Sequence, residues 1–288
     1  MHKLELLLRK YENNFLLLDD IINNQKIEYL NFNNIITVTD TNLSKIPSVK
    51  KVINYLQNNY NTKIIELSSG EPNYEMIEST SKEIFKEKYD LVIALGGGSI
   101  LDIVKSASMY ENSVENVDHF SGSRKQYKER LVKTLAIPTT AGTGSEYTHT
   151  TVYKTRLNIK NWIWDELTYY DYVIYFPFLT VDLPTDVTLA SGVDAFDHLI
   201  ESLMSLKFDS KNLNLCNKGM ETIWYSLPNL LENKNNLKER ANMLLGSGIA
   251  GKAIHFTGCG ICHCIAHTLG SLTKVPHGIA VAYGLFYT

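Results

Sequence analysis

The segment DLVIALGGGSILDIVKSASMY, residues 90–110, most constrains what this chain can fold into. A short apolar run leads directly into three glycines, and a helical pattern that contains Asp102 and Lys105 follows. A strand, a glycine-rich turn and a helix in immediate succession are typical of one unit of a parallel α/β sheet.

Neighbouring segments repeat this alternation of strand and helix. The β-branched runs NIITVTD (34–40) and KIIEL (63–67) predict buried strands, and a helical pattern follows each of them. TLAIPTTAGTGSE (134–146) predicts a further strand that runs into a loop rich in glycine and threonine. TTVYK and DYVIYF predict late strands. The first part of the chain is therefore expected to be a Rossmann-like parallel α/β domain.

Two stretches give weaker patterns. Residues 1–30 fit either a helix or a short strand followed by a helix, and the polar residues 111–130 predict a surface loop.

From Pro184 onward the pattern is helical. Four helices are predicted, over 186–206, 211–231, 236–255 and 258–272. A chain of 288 residues usually divides into two domains. We therefore expect a dinucleotide-binding α/β domain over residues 1–183 and an all-α metal and substrate domain over residues 184–288.

Charge and hydropathy exclude several classes of protein. The net charge is −3, from 28 basic and 31 acidic residues, and there is no basic run of the kind that binds nucleic acid. No apolar run is long enough to span a membrane, and the first residues acquire charge too early for a secretory signal. Three of the four cysteines lie within 259–264, which suits a reducing compartment. A cytoplasmic protein is expected.

Two glycine-containing loops are candidates for binding phosphate or a nucleotide. In GGGS, the glycines allow close approach of backbone N–H groups, and the helix that follows attracts negative charge. The pattern is neither GxGxxG nor a Walker A motif, and a packing role for the glycines is the alternative. The hydroxyls of the second loop, PTTAGTGSEYT, can bond a cofactor or simply cap turns. Ligands of open α/β sheets bind at the strand ends where both loops lie.

The second half of the chain carries a candidate metal site. Asp194 and His198 are four residues apart and share one helix face, and His263, His267 and His277 follow within one short segment. One carboxylate and several imidazoles can hold a divalent transition metal. Histidines that pack or bond within a helical core are the alternative.

The cysteines permit a different metal site or a redox function. Cys259, Cys262 and Cys264, with His255, could bind zinc structurally or form a redox pair. A second Cys-x-x-Cys pair, which a structural zinc site needs, is absent from the sequence.

Four motifs in order, GGGSILDIVK, AIPTTAGTGSE, GVDAFDHLIES and HCIAHTLG with its PHG close, resemble the iron-containing (group III) alcohol dehydrogenase family. This family belongs to the superfamily that includes dehydroquinate synthase and glycerol dehydrogenase. The resemblance spans roughly residues 34–284 and implies an NAD(P)-dependent, metal-dependent oxidoreductase.

The resemblance also implies roles for individual residues. The metal, Fe²⁺ or alternatively Zn²⁺, would be held by Asp194, His198, His263 and His277. His267 would lie near the nicotinamide and the substrate as the catalytic residue. The cofactor would be bound by Asp40, Gly96, Gly97, Gly98, Ser99, Asp102, Thr139, Thr140, Thr143, Thr148 and Lys160. Asp40 would face the adenine ribose, where a carboxylate repels a 2′-phosphate and favours NAD over NADP.

The implied reaction interconverts a small alcohol and its aldehyde or ketone by hydride transfer. A lyase on a sugar phosphate, similar to dehydroquinate synthase, is the alternative, but only Lys252 and Lys274 supply basic charge in the last 48 residues. An inactive homologue that only binds nucleotide is a third alternative. The expected partner is a small alcohol or aldehyde, with no nucleic acid or membrane, and the resemblance allows a homodimer or a larger assembly.

The chain departs from the family pattern in three places. Family members continue well beyond the last predicted ligand, whereas this chain stops at Thr288, so the helical domain is expected to be incomplete relative to the family. The usual Asp-Pro-Glu-Leu reads Phe176-Pro177-Phe178-Leu179, and cysteines flank His263 where small residues are usual.

Overall fold

The computed structural model describes residues 32–109, 116–123, 126–273 and 275–288. Residues 1–30, and with them the helix or strand expected there, lie outside the described residues, as do residues 111–115 and 124–125 of the loop predicted over 111–130. The chain divides into two compact units: residues 1–139 with 149–179, and residues 140–148 with 180–288.

The described residues of the first unit form seven strands: β1 (Asn34–Asp40), β2 (Asn61–Leu67), β3 (Leu91–Gly96), β4 (Lys133–Pro138), β5 (Thr150–Lys154), β6 (Lys160–Trp164) and β7 (Tyr172–Val173). Five of them make a parallel sheet at the centre of the unit, in the order β2-β1-β3-β4-β7. Every residue of β3 is buried, which fits the central position of this apolar strand. The predicted α/β fold is confirmed.

The described residues of the first unit form three α-helices: α1 (Pro47–Asn59), α2 (Tyr74–Ile84) and α3 (Gly98–Ala107). Pro47 begins α1, where its fixed φ favours the first helical turn. Asn73 caps α2 by accepting a hydrogen bond from the Met76 N–H at 2.9 Å. The buried residues of α1 recur at helical spacing and join the core of the sheet.

The late strands differ from the sequence expectation in two respects. TTVYK is a strand, β5, but it pairs with β6 in an antiparallel hairpin separate from the parallel sheet. Only two residues of DYVIYF form a strand, because Phe176-Pro177 leads into a 3₁₀ turn over Pro177–Thr180. Proline has no N–H to extend the ladder.

The second unit contains five helices among its described residues: α4 (Thr185–Met204), α5 (Leu213–Glu232), α6 (Leu237–Thr257), α7 (Ile261–Leu272) and α8 (His277–Tyr287). The first four match the predicted helices. The sequence pattern did not predict α8, whose Ala280 and Val281 pack in one cluster with Cys262 and Ala266 of α7. No helix formed by the described residues is both long and apolar enough to cross a membrane.

The loop 140–148 belongs to the second unit because its backbone lies directly on α6. A Cβ added to Gly251 would lie 2.1 Å from the Gly144 carbonyl oxygen, so neither the loop nor α6 has room for a side chain where the two backbones meet. Gly144 also has φ +56°, which favours glycine. This contact fixes the threonines of the loop within the unit that carries the histidines.

A buried ion pair ties α3 to the β5–β6 hairpin. Lys105 is 1% exposed, and its Nζ lies 3.1 Å from Asp102 Oδ1 and donates to the Thr150 carbonyl oxygen. Asp102 Oδ2 accepts a hydrogen bond from the Val152 N–H at 2.8 Å.

Replacing Lys105 by methionine is expected to lower the free energy of unfolding by about 3 kcal/mol, because the Asp102 carboxylate would keep its burial and lose its cation. Urea unfolding followed by circular dichroism measures the change. The control is Lys133→Met, which removes an ion pair with Asp171 from a lysine that is 53% exposed and should cost less than about 1 kcal/mol. Equal losses for the two variants would contradict the expected role of the buried pair.

Candidate metal and substrate site

Helix α4 presents the first two predicted ligands on one face. Asp194 and His198 are one helical turn apart, and both side chains are buried. His198 Nε2 lies 3.9 Å from Asp194 Oδ1. The four-residue spacing in the sequence therefore places both groups in one cluster.

His263 reaches this cluster from the first turn of α7. Gly258, with φ +73°, ends α6, and Gly260 immediately precedes α7, so the chain turns within three residues. His263 Nε2 lies 3.3 Å from Asp194 Oδ1. The His263 ring stacks on His198, with the ring centres 4.4 Å apart.

His277 is the first residue of α8 and follows Pro276. A Cβ added to Gly278 would lie 2.4 Å from the Ala190 carbonyl oxygen, so the start of α8 lies directly against α4. This close approach brings His277 Nε2 to 3.7 Å from Asp194 Oδ1. The three predicted histidine ligands thus converge on the carboxylate of the fourth ligand, Asp194.

The donor atoms fit a transition-metal cation. One ligand atom each from Asp194, His263 and His277 lie within 4.8 Å of one another. Two donors that each lie about 2.1 Å from one cation at tetrahedral angles are about 3.4 Å apart. Among the described residues, neither Asp194 Oδ1 nor His263 Nε2 has a hydrogen-bond partner, although both are buried. Buried ligand atoms that lack hydrogen-bond partners are suited to a cation, and a set of imidazole and carboxylate ligands suits Fe²⁺ or Zn²⁺.

The electrostatics of the cluster also favour positive charge. Burial raises the pKa of Asp194, but the neighbouring histidines outweigh burial and hold this pKa well below its usual range. Burial lowers the pKa of His198 to about 4, so its ring is neutral at pH 7 and keeps a lone pair. Burial lowers the pKa of His263, yet the surrounding carboxylates raise it above the ordinary value.

Two further carboxylates lie at the same cluster, and the sequence reasoning missed both. Glu201 Oε2 lies 2.7 Å from His263 Nδ1, and Asp197 Oδ2 lies 3.1 Å from the same atom. The signal was present in the sequence, because residues 194, 197, 198 and 201 share one helix face. Burial acts to raise the pKa of Glu201, but its hydrogen bonds to the His263 ring and to backbone N–H groups outweigh burial and lower this pKa to about 2.

His267 lies at the edge of the cluster. It is half-buried on α7, and its ring stacks on His277 with the ring centres 5.2 Å apart. Its ring centre is 6.2 Å from that of His263. The structure therefore brings His267 to the site without placing it among the converging donor atoms.

A pocket of about 230 Å³ opens beside the predicted ligands within the second unit. Asp194 and His277 line it, together with Thr140 and Thr143 of the loop that lies on α6. Thr148 is buried in the same loop and donates a hydrogen bond to the Ser145 carbonyl oxygen. The pocket thus contains two of the four threonines predicted to bind the cofactor.

The GGGS segment forms the turn predicted for it in the first unit. Gly96 ends β3, Gly97 precedes α3, and Gly98 and Ser99 begin the helix. The first N–H groups of a helix have no partner within it, which suits an anion. The Thr139 N–H bonds the Gly96 carbonyl oxygen at 3.0 Å, so the ends of β3 and β4 lie together.

Three other predicted cofactor residues have partners within the first unit. Asp40 ends β1, and its Oδ1 accepts hydrogen bonds from the N–H groups of Asn42 and Leu43. The Asp102 carboxylate bonds Lys105 and the Val152 N–H, as described above. Lys160 lies on β6 with its Nζ 3.2 Å from Glu71 Oε1. Their roles at a cofactor stay predictions.

The cysteine-based alternative is not assembled by the described residues. Three groups of potential metal ligands occur there, and none contains His255 or more than one cysteine. Cys259 is grouped with His198 and His263, and Cys262 with the carboxylates beside His263. All four cysteines are free thiols.

Comparisons with known proteins identify the family. The family model described as iron-containing alcohol dehydrogenase matches residues 22–177, and the model of the C-terminal part of this family matches residues 188–286. The chain belongs to the iron-containing alcohol dehydrogenase family, which confirms the resemblance found in the sequence.

Individual relatives agree with this assignment. Long-chain-alcohol dehydrogenase 1 of Geobacillus thermodenitrificans is 33% identical over 91% of this chain and 67% of its own length. 4-Hydroxybutyrate dehydrogenase of Clostridium kluyveri is 33% identical over 76% of this chain and 58% of its own length. The structure of sulfoacetaldehyde reductase from Bifidobacterium kashiwanohense in complex with NAD⁺ is 25% identical, with a TM-score of 0.83 over 89% of this chain and 68% of that chain.

The chain spans only part of the length of these relatives, 67% for the Geobacillus long-chain-alcohol dehydrogenase. The probable alcohol dehydrogenase EutG of Escherichia coli is 33% identical over 74% of this chain, which spans 54% of its length.

Removing one of the proposed metal ligands is expected to abolish tight metal binding. Asp194→Ala and His263→Ala should each lower the affinity for Fe²⁺ or Zn²⁺ by more than about 100-fold, which is the upper end for losing a residue that only supports a ligand. Metal content after anaerobic loading and dialysis, measured by mass spectrometry, tests this. His119→Ala, which changes an exposed histidine of the first unit, is the matched control. Equal metal content in all four proteins would contradict the site.

Proposed function

We propose that this protein is an NAD-dependent, metal-dependent oxidoreductase that interconverts a small alcohol and its aldehyde or ketone. Membership of the iron-containing alcohol dehydrogenase family supports this activity. The observation that carries the proposal is the convergence of three imidazole side chains on the buried Asp194 carboxylate.

In this proposal, Asp194, His198, His263 and His277 hold one Fe²⁺, with Zn²⁺ as the alternative. The cation, when bound, polarises the substrate oxygen and stabilises negative charge on it. The protein contributes a rigid set of donors, because three helices fix the four side chains before any substrate enters. The neutral state of His198 keeps its lone pair available.

The pocket beside these ligands is proposed to receive the substrate carbon chain. Its volume of about 230 Å³ lies below the roughly 300–1,000 Å³ of pockets for drug-sized molecules, which favours a small substrate. Val187 and Ile279 give it an apolar wall, while the Asp186 carboxylate also lines it. An acidic side chain at the wall favours neutral alcohols and aldehydes over anionic ones.

His267 is proposed as the catalytic residue that exchanges a proton with the substrate side of the pocket. Its imidazole is half-buried, and it stacks on the proposed ligand His277. Imidazole is the side chain whose charge changes most readily near neutral pH, so it suits proton transfer between substrate and solvent.

The dinucleotide is proposed to bind through the first unit, at the carboxyl ends of its strands. The N-terminus of α3, from Gly97 to Ser99, would receive the pyrophosphate. Asp40 would bond the adenine ribose, and Asp102, Thr139 and Lys160 would complete the contacts of this unit. NAD⁺ in the solved sulfoacetaldehyde reductase supports the choice of dinucleotide.

Loading the purified chain anaerobically with Fe²⁺ and supplying NAD⁺ with a panel of short alcohols and diols is expected to produce NADH, seen as absorbance. Asp194→Ala should lose the activity while keeping the circular dichroism spectrum of the fold. Binding of NAD⁺ without NADH production from any alcohol would favour an inactive homologue and contradict the proposal.

Asp40→Asn should shift the cofactor preference toward NADP⁺. Asparagine keeps the Oδ1 acceptor used by Asn42 and Leu43 but removes the charge that repels a 2′-phosphate. The ratio of kcat/KM for NAD⁺ to that for NADP⁺ is expected to fall at least about tenfold, or about 1.4 kcal/mol. Asp90→Asn, which changes another carboxylate that accepts backbone N–H bonds in this unit, is the matched control. An unchanged ratio for Asp40→Asn would refute the proposed ribose contact.

A further inference from the structure

We infer that Glu201, with Asp197 beside it, is a positioning residue that holds the proton of His263 on Nδ1 and directs Nε2 toward the proposed cation. The inference rests on the metal site of the proposed function and adds two residues to it. Neither carboxylate is among the four proposed ligands.

The contacts of Glu201 show how it positions the ring. Its Oε2 lies 2.7 Å from His263 Nδ1, whereas Asp194 Oδ1 lies 3.3 Å from Nε2 on the opposite side of the same ring. An imidazole that donates from Nδ1 carries its lone pair on Nε2, which is the atom facing the other donors. The hydrogen bond to Glu201 therefore selects the tautomer that a metal ligand at Nε2 requires.

Glu201 also fixes the backbone from which His263 projects. It accepts the Gly260 N–H at 2.7 Å through Oε2 and the His263 N–H at 3.3 Å through Oε1. A Cβ added to Gly260 would lie 2.9 Å from Glu201 Oε1, so the carboxylate lies directly against the turn that begins α7. One buried side chain on α4 thus orients both the ring and the helix start.

Asp197 places a second negative charge at the same nitrogen. It is fully buried, its Oδ2 lies 3.1 Å from His263 Nδ1, and neither of its oxygens has a hydrogen-bond partner among the described residues. A buried carboxylate without donors is costly unless positive charge lies nearby. Asp197 therefore adds to the field that keeps the Nδ1 proton in place and makes Nε2 a stronger donor to a cation.

A different arrangement would use the same side chains to bind a second cation. Asp197, Glu201, Cys262 and His263 have ligand atoms within 4.8 Å of one another. The two arrangements are mutually exclusive at Nδ1, because a nitrogen that carries a proton has no lone pair for a metal. The metal stoichiometry of the wild-type protein therefore distinguishes them.

The test compares wild-type protein, Glu201→Gln and the matched control Glu221→Gln, which changes an exposed glutamate of α5. Co²⁺ is the probe, its affinity is measured by competition with a chelator, and its visible spectrum reports the ligand geometry. Glu201→Gln is expected to lower the Co²⁺ affinity about 10–100-fold and to shift the spectrum. Glu221→Gln should change the affinity by no more than about twofold.

If Glu201→Gln does not fold, the Co²⁺ affinity of Asp197→Asn is measured instead. This variant should lower the Co²⁺ affinity by more than Glu221→Gln does. If folded Glu201→Gln has the Co²⁺ affinity and spectrum of the wild-type protein, this inference is wrong but the proposed function stands. The same holds if each wild-type chain binds two cations. If the wild-type protein binds no Co²⁺, or if Asp194→Ala leaves the Co²⁺ binding unchanged, the proposed metal site itself is contradicted, and this inference with it.

Discussion

The buried carboxylate of Asp194 is the constraint on which the second unit depends. Its Oδ1 has no hydrogen-bond donor among the described residues, and three imidazole nitrogens lie within 3.9 Å of it. A charge buried in this way is stable only where positive charge compensates it. The histidines, and the cation that they are proposed to hold, supply that compensation, so the helices must bring them to one point.

Small residues make that convergence sterically possible. Gly278 allows the start of α8 to lie against α4, and Gly260 allows Glu201 to lie against the start of α7. Gly144 and Gly251 bring the threonine loop onto α6. At each of these positions a Cβ would approach a neighbouring atom more closely than real contacts allow. The geometry of the site therefore depends on glycines that carry no chemistry of their own.

Much of the fold followed from local patterns, because β1 is a β-branched run, β3 is a continuous apolar run, and α4, α5 and α7 repeat apolar residues at helical spacing. Helix α8 did not, because its formation depends on packing of Ala280 and Val281 against α7 rather than on a polar and apolar face. The convergence of Asp194 and His198 with His263 and His277 could be expected from helix spacing and the family resemblance. Glu201 and Asp197 share the helix face of Asp194 and His198, but their approach to His263 Nδ1 depends on the turn at Gly260, which the spacing does not predict.

X-ray absorption spectroscopy of the Zn²⁺-loaded protein tests the central claim most directly, because it measures the distances and the types of the atoms bound to the metal. The account predicts nitrogen and oxygen neighbours at about 2.0–2.2 Å, with the outer scattering of three imidazole rings. A sulfur neighbour at about 2.3 Å, from a cysteine near His263, or the absence of imidazole scattering would contradict it.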